Sequence, residues 1–208
     1  FSIQTIRSGD TLYQIARRSF TTVNAILTAN SGLNPDNLQI GRRIVVPYGF
    51  AVVPTNVSYT YFLVRTIVEG LTARYPFIRS ESIGNSVMGK NLYSLRIGEG
   101  TKEVFYNASH HANEWITTPL LLKFLENYAS AYANNGSIFT FPARELYENT
   151  LLYMVPLVNP DGVDLVNDAI PKDSSFYTNA VGISQDYPSI PFPNGWKANI
   201  SGVDLNLQ

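Results

Sequence analysis

The chain has 208 residues, of which 45% are hydrophobic and 15% are charged, and its formal net charge is -1. This composition indicates a globular protein, long enough for one mid-sized domain plus a small one or for two small domains. Acidic and basic residues are interspersed rather than clustered, which argues against nucleic acid or an anionic membrane surface as a partner. Because there is no cysteine, disulfides and thiolate metal sites are excluded, and any metal must be bound by nitrogen and oxygen ligands.

The sequence carries no sign of membrane insertion. No apolar run approaches the roughly 20 residues that span a bilayer. The opening residues, Phe1 to Gln4, lack the charged and apolar pattern of a signal peptide. Because the sequence does not begin with Met, we expect that a leader or another module has been removed.

Residues 1–48 have the pattern of a small unit. Alternation in IQTIRSG predicts a first strand, and RRIVVP, ended by Pro47, predicts a last one. Two helices are expected between them, one after Thr11 and one after Thr22, and Thr11 and Gln14 have the spacing of a capping box. The order is strand, helix, helix, strand, which spacing alone does not distinguish from any other small α+β domain.

The segments SGDTLYQIARR and ILTANSGLNPDNLQIGRRIVVP resemble a LysM repeat over this whole unit. The resemblance implies binding of N-acetylglucosamine-containing glycans in a shallow groove between the loop after the first strand and the loop before the second. By position it implicates Gly9, Asp10, Thr11, Leu12, Asn30, Leu33, Asn34 and Pro35. Helix capping also explains the side chains of Asp10 and Thr11, and we favour that explanation for them.

Residues 49–57 are predicted to form a linker, and residues 58–208 a larger unit. Its first helix is expected to bury Phe62, Leu63, Ile67, Leu71 and Tyr75. A hairpin follows, then a strand at EVFYNAS, and then a helix with Thr118 as its N-cap and Pro119 in its first turn. The stretch TLLYMVPLV is typical of a strand covered by helices on both faces. The pattern predicts an α/β fold with a mixed sheet.

Residues 167–199 form a long segment rich in Pro, Ser and aromatic residues with little periodicity. A loop of that length in a compact domain is either disordered or functional. We expect it to form the wall of a substrate cleft.

The only two histidines, His110 and His111, lie in ASHHANEW, with Glu114 three residues after the second. If EVFYNAS is a central strand, they follow its carboxyl end, where open α/β sheets bind ligands. In a tight turn His111 and Glu114 can bind one ion, and Zn²⁺ accepts both ligand types. Alone, however, such a pair is more often an ordinary surface hydrogen bond.

Three segments, NASHHANEWITTPLLLKFLENY, MVPLVNPDGVDL and GWKANISGVDLNLQ, are similar in order and separation to the zinc carboxypeptidase family of metallopeptidases. The resemblance implies an α/β/α fold with Zn²⁺ as cofactor and with His111 and Glu114 as its first two protein ligands. His110 does not match, and its side chain should point to the other face. Lys197 takes the place of an arginine that polarises the scissile carbonyl, and Asn206 that of a residue hydrogen-bonded near the scissile bond.

Two substrate-binding arginines of the family are replaced. Leu207 stands where an arginine clamps the C-terminal carboxylate of the substrate, and it cannot make that bidentate contact. Asn113 stands where many members have another substrate-binding arginine. Simpler explanations exist for Lys197, as a solvated surface lysine, and for Leu207, as a packing residue. Asp161 and Asp204 are interpreted as turn and loop-anchoring residues.

Loss of the carboxylate clamp, together with the LysM unit, favours a resemblance to bacterial γ-D-glutamyl-diaminopimelate endopeptidases, which cut the stem peptide of peptidoglycan. The implied partners are the glycan strand and the stem peptide, and the implied location is the bacterial cell wall or the extracellular space, spores included. The alternatives are a zinc carboxypeptidase that removes C-terminal residues and a non-catalytic peptidoglycan-binding protein. The export route and the oligomeric state stay undetermined.

A third zinc ligand is missing from the sequence. The family uses a further histidine and a glutamate general base downstream of the last motif, and this chain has no third histidine. We therefore expect the chain to be the N-terminal part of a longer polypeptide and to be inactive by itself.

Overall fold

The computed structural model describes residues 1–207. The first part of the chain forms β1 (Ser2–Thr5), α1 (Leu12–Arg18), α2 (Val23–Ala29) and β2 (Arg43–Val46). The hydroxyls of Thr11 and Thr22 accept hydrogen bonds from the backbone N–H groups of Gln14 and Ala25, at 3.2 and 3.1 Å, and so begin the two helices. β1 and β2 pair antiparallel, and the unit has an apolar core of its own. The predicted order of elements is confirmed.

The rest of the described chain alternates helices and strands. In chain order it contains α3 (Tyr61–Arg74), β3 (Arg79–Asn85), β4 (Asn91–Gly98), β5 (Lys102–Asn107), a 3₁₀ turn (Ala112–Glu114), α4 (Thr117–Ala133), β6 (Ser137–Ile138), β7 (Phe141–Pro142), α5 (Ala143–Asn149), β8 (Thr150–Val155), α6 (Pro160–Val166) and α7 (Ser175–Ser184). None of the helices within residues 1–207 is long and apolar enough to cross a bilayer.

Four of these strands form a mixed sheet in the order β3-β4-β8-β5. β8 pairs antiparallel with β4 and parallel with β5, and a large apolar core packs around the sheet. The prediction of a mixed α/β fold is confirmed. The prediction that EVFYNAS is a central strand is wrong for the described residues, because the apolar β8 takes the interior position and β5 lies at an edge. Phe105 and Tyr106 on β5 are 58% and 49% exposed.

Two local predictions for the helices are wrong. Phe62 is 69% exposed, because the face of α3 that packs on the core is the one carrying Val64, Ile67, Val68 and Leu71. Thr118 does not cap α4, since the 3₁₀ turn continues directly into the helix and Thr118 lies inside it. Its buried hydroxyl instead donates to the carbonyl of Pro156 at 2.6 Å, which attaches α4 to the end of β8.

Residues 167–199 are more regular than their composition suggests. They include α7, which is capped by Ser174: its hydroxyl accepts a hydrogen bond from the backbone N–H of Tyr177 at 3.2 Å. After α7, the chain reaches Trp196, which is buried in a small cluster together with Ala112 and Leu165. This cluster places residues 196–200 against the loop that carries the two histidines.

Candidate metal site

The loop between β5 and α4 turns sharply at Ser109. Ser109 has φ of +55°, a conformation that residues with a side chain rarely adopt. Its N–H donates to Thr117 Oγ1 at 2.9 Å, and its buried hydroxyl lies 2.7 Å from Thr118 Oγ1. These bonds stabilise the turn at the carboxyl end of β5, so that His110 and His111 leave the sheet in fixed directions.

His111 lies between two carboxylates. Its Nδ1 is 3.1 Å from Glu114 Oε1, and its Nε2 is 3.4 Å from Asp204 Oδ1. The His111 side chain is only 17% exposed, whereas that of Glu114 is half exposed. His110 has a different environment, with its Nε2 2.8 Å from Asn107 Oδ1. The structure therefore brings His111, Glu114 and Asp204 together and keeps His110 apart from them.

The side chains of His111 and Glu114 are close enough together to bind one metal ion. Two donors bound to tetrahedral Zn²⁺ at ordinary distances lie about 3.3 Å apart, close to the 3.1 Å between Nδ1 and Oε1. Across residues 1–207, however, no group of three or more His, Cys, Asp and Glu side chains could hold a metal ion. The fit is therefore limited to two protein ligands.

Asp204 has a contact that the sequence interpretation missed. It does anchor its loop, as expected, by accepting a hydrogen bond from the backbone N–H of Asn206 at 2.9 Å. The same oxygen faces His111 Nε2. A carboxylate on the second ring nitrogen of a histidine fixes the tautomer and leaves the first nitrogen available as a ligand.

Asn159 joins the loops on which these residues lie. The side chain is 1% exposed and donates to the carbonyls of His110 and Ala198 at 3.1 and 2.9 Å. Its Oδ1 accepts from the N–H of Gly162 at 3.0 Å and begins α6. A Cβ on Gly162 would lie 2.6 Å from the carbonyl oxygen of Ala198 and 2.7 Å from Cβ of Ala112, so only glycine fits there.

Asp161 and Asp164 of α6 belong to a buried charged cluster. Lys90 Nζ is 3.1 Å from Asp161 Oδ1 and 2.8 Å from Asp164 Oδ2. Asp161 also accepts hydrogen bonds from Ser86 Oγ and the N–H of Met88, at 2.9 and 3.0 Å. The cluster attaches the β3–β4 turn to α6, which is the anchoring role expected of Asp161.

The remaining predicted peptidase residues surround the same loop. Two backbone hydrogen bonds, from Ala112 to the Lys197 carbonyl at 3.0 Å and from Asn113 to the Trp196 carbonyl at 3.1 Å, place Lys197 beside the histidines. The side chain of Lys197 is exposed, as is Asn206, and Leu207 is 79% exposed.

An apolar pocket of about 460 Å³ adjoins Asp204, and its lining includes Lys197 and Leu207. Much of the rest of its wall comes from residues 183–192. This agrees with the expectation that the 167–199 segment forms the wall of a cleft.

In the LysM-like unit, several implicated side chains serve the fold. Leu12 and Leu33 are 3% and 7% exposed and belong to its core, so a ligand can meet only their backbone. The amide of Asn30 bonds to the carbonyls of Ile26 and Val45 and to the N–H of Val45, all at 2.7 to 2.8 Å.

Asp10 likewise has partners within the unit. The backbone N–H of Arg7 donates to it at 2.8 Å and, with the guanidinium of Arg18, lowers the pKa of this carboxyl below its ordinary value. Thr11 is a helix cap, as favoured from the sequence. The implicated residues with exposed surface are Gly9, Thr11, Asn34 and Pro35.

Known families match both parts of the chain. Residues 64–207 match the family described as zinc carboxypeptidase. The chain belongs to that family. Residues 5–47 match the LysM domain, so the zinc carboxypeptidase domain follows a LysM domain in this chain. The boundaries at residues 48, 57 and 58 stay a prediction.

Two curated proteins are similar to much of the chain. The chain is 39% identical to "Gamma-D-glutamyl-L-diamino acid endopeptidase 1" of Lysinibacillus sphaericus, across 98% of this chain and 64% of that protein. It is 42% identical to the uncharacterized protein YqgT of Bacillus subtilis (strain 168), across 64% of this chain and 35% of that protein. The chain thus spans less than two thirds of the length of these two relatives.

Solved structures support the fold. Thrombin activatable fibrinolysis inhibitor superposes with a TM-score of 0.52 at 19% identity, covering 70% of this chain and 30% of that one. The bovine protein, in complex with tick carboxypeptidase inhibitor, gives a TM-score of 0.50 at 20% identity, covering 70% of this chain and 38% of that one. At these identities the likeness establishes the carboxypeptidase-like fold alone.

Proposed function

We propose that the protein is a zinc-dependent peptidase that hydrolyses the γ-D-glutamyl-diaminopimelate bond in the stem peptide of peptidoglycan, with its LysM domain bound to the glycan. The observation that carries the chemistry is His111, placed with Nδ1 beside Glu114 and Nε2 beside Asp204. This arrangement suits a zinc site, which needs an imidazole nitrogen held in one orientation and a carboxylate next to it.

We assign the roles of the residues from the family resemblance, together with their places around His111. His111 and Glu114 would hold the ion, and Asp204 would orient His111. Bound Zn²⁺ supplies Lewis-acid polarisation of a scissile carbonyl. Lys197, exposed beside the loop, would supply positive charge to the oxygen of that carbonyl, and Asn206 would hydrogen-bond close to the scissile bond. A third zinc ligand and a general base would have to come from outside residues 1–207.

The substrate is proposed from two features. The relative from Lysinibacillus sphaericus is named for cleavage of a γ-D-glutamyl-L-diamino acid bond and aligns with almost the whole chain. Leu207 has no charge and an exposed side chain, so it offers no clamp for a free C-terminal carboxylate of the substrate. Asn113 is proposed to contact the substrate as well. The LysM domain suggests a cell-wall or extracellular location; no finding supports a location on spores.

The proposal is tested with the protein expressed from its complete gene and supplied with zinc. We expect cleavage of a γ-D-glutamyl-diaminopimelate peptide and little release of the terminal residue from a peptide with a free C-terminus. The reverse preference would establish the carboxypeptidase alternative, and no cleavage of either would support a binding protein. The 208-residue chain, supplied with zinc, is expected to show no turnover.

The metal ligands are tested on the 208-residue chain by competition with a chromogenic chelator. We expect His111→Asn and Glu114→Gln to weaken zinc binding at least tenfold, since each removes one of two ligands. His110→Asn is the matched control because its ring faces Asn107 instead. Equal losses for the two histidine variants would contradict the assignment of His111.

A further inference from the structure

The LysM domain contacts the carboxyl end of α4. Thr28 Oγ1 donates to the carbonyl of Ala133 at 2.9 Å, and Asn24 Nδ2 donates to the carbonyl of Asn134 at 3.1 Å. The hydroxyl of Thr22 also hydrogen-bonds to the side chain of Asn134. The last carbonyls of a helix have no partner within it. Side chains of α2 therefore provide partners that α4 lacks.

The predicted linker is also fixed in place. The N–H groups of Val52 and Val53 both donate to the carboxylate of Glu126 on α4, and Val53 is 1% exposed in the core of the larger domain. Glu126 is 4% exposed, and its charge is balanced by Lys123 at 2.7 Å and Arg74 at 3.8 Å. The segment between the two domains therefore has little conformational freedom.

A second contact holds the segment just before Val52. The guanidinium of Arg74 lies 5.0 Å from the centre of the Phe50 ring, and its Nη1 donates to the carbonyl of Phe50. Phe50 in turn stacks on Tyr48 at 5.3 Å between ring centres. The contacts thus run continuously from the end of β2 to the surface of α3 and α4.

We propose that the LysM domain is docked on the peptidase domain as one rigid unit, so that its glycan groove stays at one distance from His111 and Glu114. α4 links the two sites, because its first turn follows Glu114 and its last turn meets α2. Its 17 residues span about 25 Å. Gly9, Thr11, Asn34 and Pro35 remain exposed, so docking leaves the groove open.

The consequence for specificity rests on the proposed function. A flexible linker would only raise the local concentration of substrate and would allow cleavage at many positions around the bound sugar. A docked domain restricts cleavage to stem peptides that lie at one spacing from it. The LysM domain then acts in selecting the scissile bond as well as in binding the polymer.

The proposal is tested by measuring the distance between two spin labels on the 208-residue chain. Because the chain has no cysteine, Ser31→Cys in the LysM domain and Lys172→Cys in the peptidase domain give two unique labelling sites, both exposed. We expect a single narrow distance distribution. A flexible linker of residues 49–57 would spread the separation over about 15 Å, and a distribution of that width would overturn the proposal.

Interface variants test whether these contacts hold the domains. Asn24→Ala with Thr28→Val removes two of the three hydrogen bonds from LysM side chains to the end of α4, leaving that of Thr22, and should broaden the distribution. Asn149→Ala with Thr66→Val is the matched control, since these exposed side chains bond only to carbonyls of their own helices, Glu145 and Phe62. A distribution that stays narrow in the interface variant would refute docking through α4.

Adding an N-acetylglucosamine oligomer separates this proposal from the proposed function. If the domains are docked, the distribution stays at the same distance whether or not the oligomer binds. A shift or broadening on binding would overturn the fixed spacing. Absence of binding would refute the glycan-binding role and leave the measured docking intact.

Discussion

The Nε2 atom of His111 lies 3.4 Å from Oδ1 of Asp204, on the side of the ring opposite to Glu114. The two residues are far apart in sequence, and the contact forms because Asn159 and Trp196 hold their loops together. It gives the imidazole a defined orientation before any metal binds.

Replacing Asp204 should therefore weaken zinc binding without removing a ligand. We expect Asp204→Ala to lower the zinc affinity about 10- to 100-fold, the usual effect of losing a carboxylate behind a metal-bound histidine. The affinity is measured by chelator competition, with the exposed Asp173→Asn as control for the loss of one negative charge. An unchanged affinity in Asp204→Ala would show that the contact does not orient His111.

Gly162 should be sensitive to the addition of one methyl group. Gly162→Ala would bring Cβ within 2.7 Å of the Ala198 carbonyl and of Ala112, and we expect it to lower the free energy of unfolding by about 1–3 kcal/mol. Gly182→Ala in α7 is the matched control, because apart from its chain neighbours and the backbone of its own helix no atom lies within 4 Å of its Cβ position. For Gly182→Ala we expect the free energy of unfolding to rise by about 0.5–1 kcal/mol. Urea denaturation measures both, and equal effects would contradict the close packing at α6.

Lys90 should be essential for stability because it neutralises two buried carboxylates. We expect Lys90→Met to lower the free energy of unfolding by about 3–5 kcal/mol, since it leaves Asp161 and Asp164 charged and unpaired with a cation. Lys172→Met, at an exposed position, should change it by less than about 0.5 kcal/mol. A Lys90 variant as stable as this control would disprove the role of the cluster.

Tyr59 should make the domain sensitive to alkaline pH. Burial raises the pKa of Tyr59 to about 12, helped by the charge of Glu126, and its hydroxyl donates to the carbonyl of Pro54 at 2.6 Å. The unfolded pKa is about 10, so the neutral phenol contributes stability that is fully present below pH 10 and is lost as pH rises through 12.

Tyr59→Phe provides the test. We expect it to be about 1 kcal/mol less stable at pH 8 and to lose less stability than the parent protein between pH 9 and 11.5. Burial also raises the pKa of Tyr147 to about 12, but that residue is present in both proteins and cancels in the comparison. If the free energy of unfolding fell equally with pH in both proteins, ionisation of Tyr59 would not be linked to unfolding.

Local signals in the sequence predicted local structure well. The threonines at positions 11 and 22 predicted where α1 and α2 begin, because a capping hydroxyl acts within three residues. The apolar stretch at β8 predicted a strand, and β8 takes an interior position in the sheet. The spacing of His111 and Glu114 predicted that they would meet, since one 3₁₀ turn joins them.

Features that depend on distant packing were not predictable from the sequence. The position of β5 at the edge depends on which strands pair with β8, and strand order has no local signal. The partnership of Asp204 with His111 depends on a loop that folds back by way of Trp196. Phe62 was assigned to the buried face because it is apolar, but the geometry of α3 points it to solvent.

The exposed edge of β5 affects how the chain behaves in solution. Within residues 1–207 only one side of this strand is paired, and Phe105 and Tyr106 lie exposed along it. Unpaired backbone groups beside apolar side chains favour pairing between copies of a chain. At high concentration the isolated chain should therefore self-associate through β5, and a lysine in place of Phe105 should keep it monodisperse.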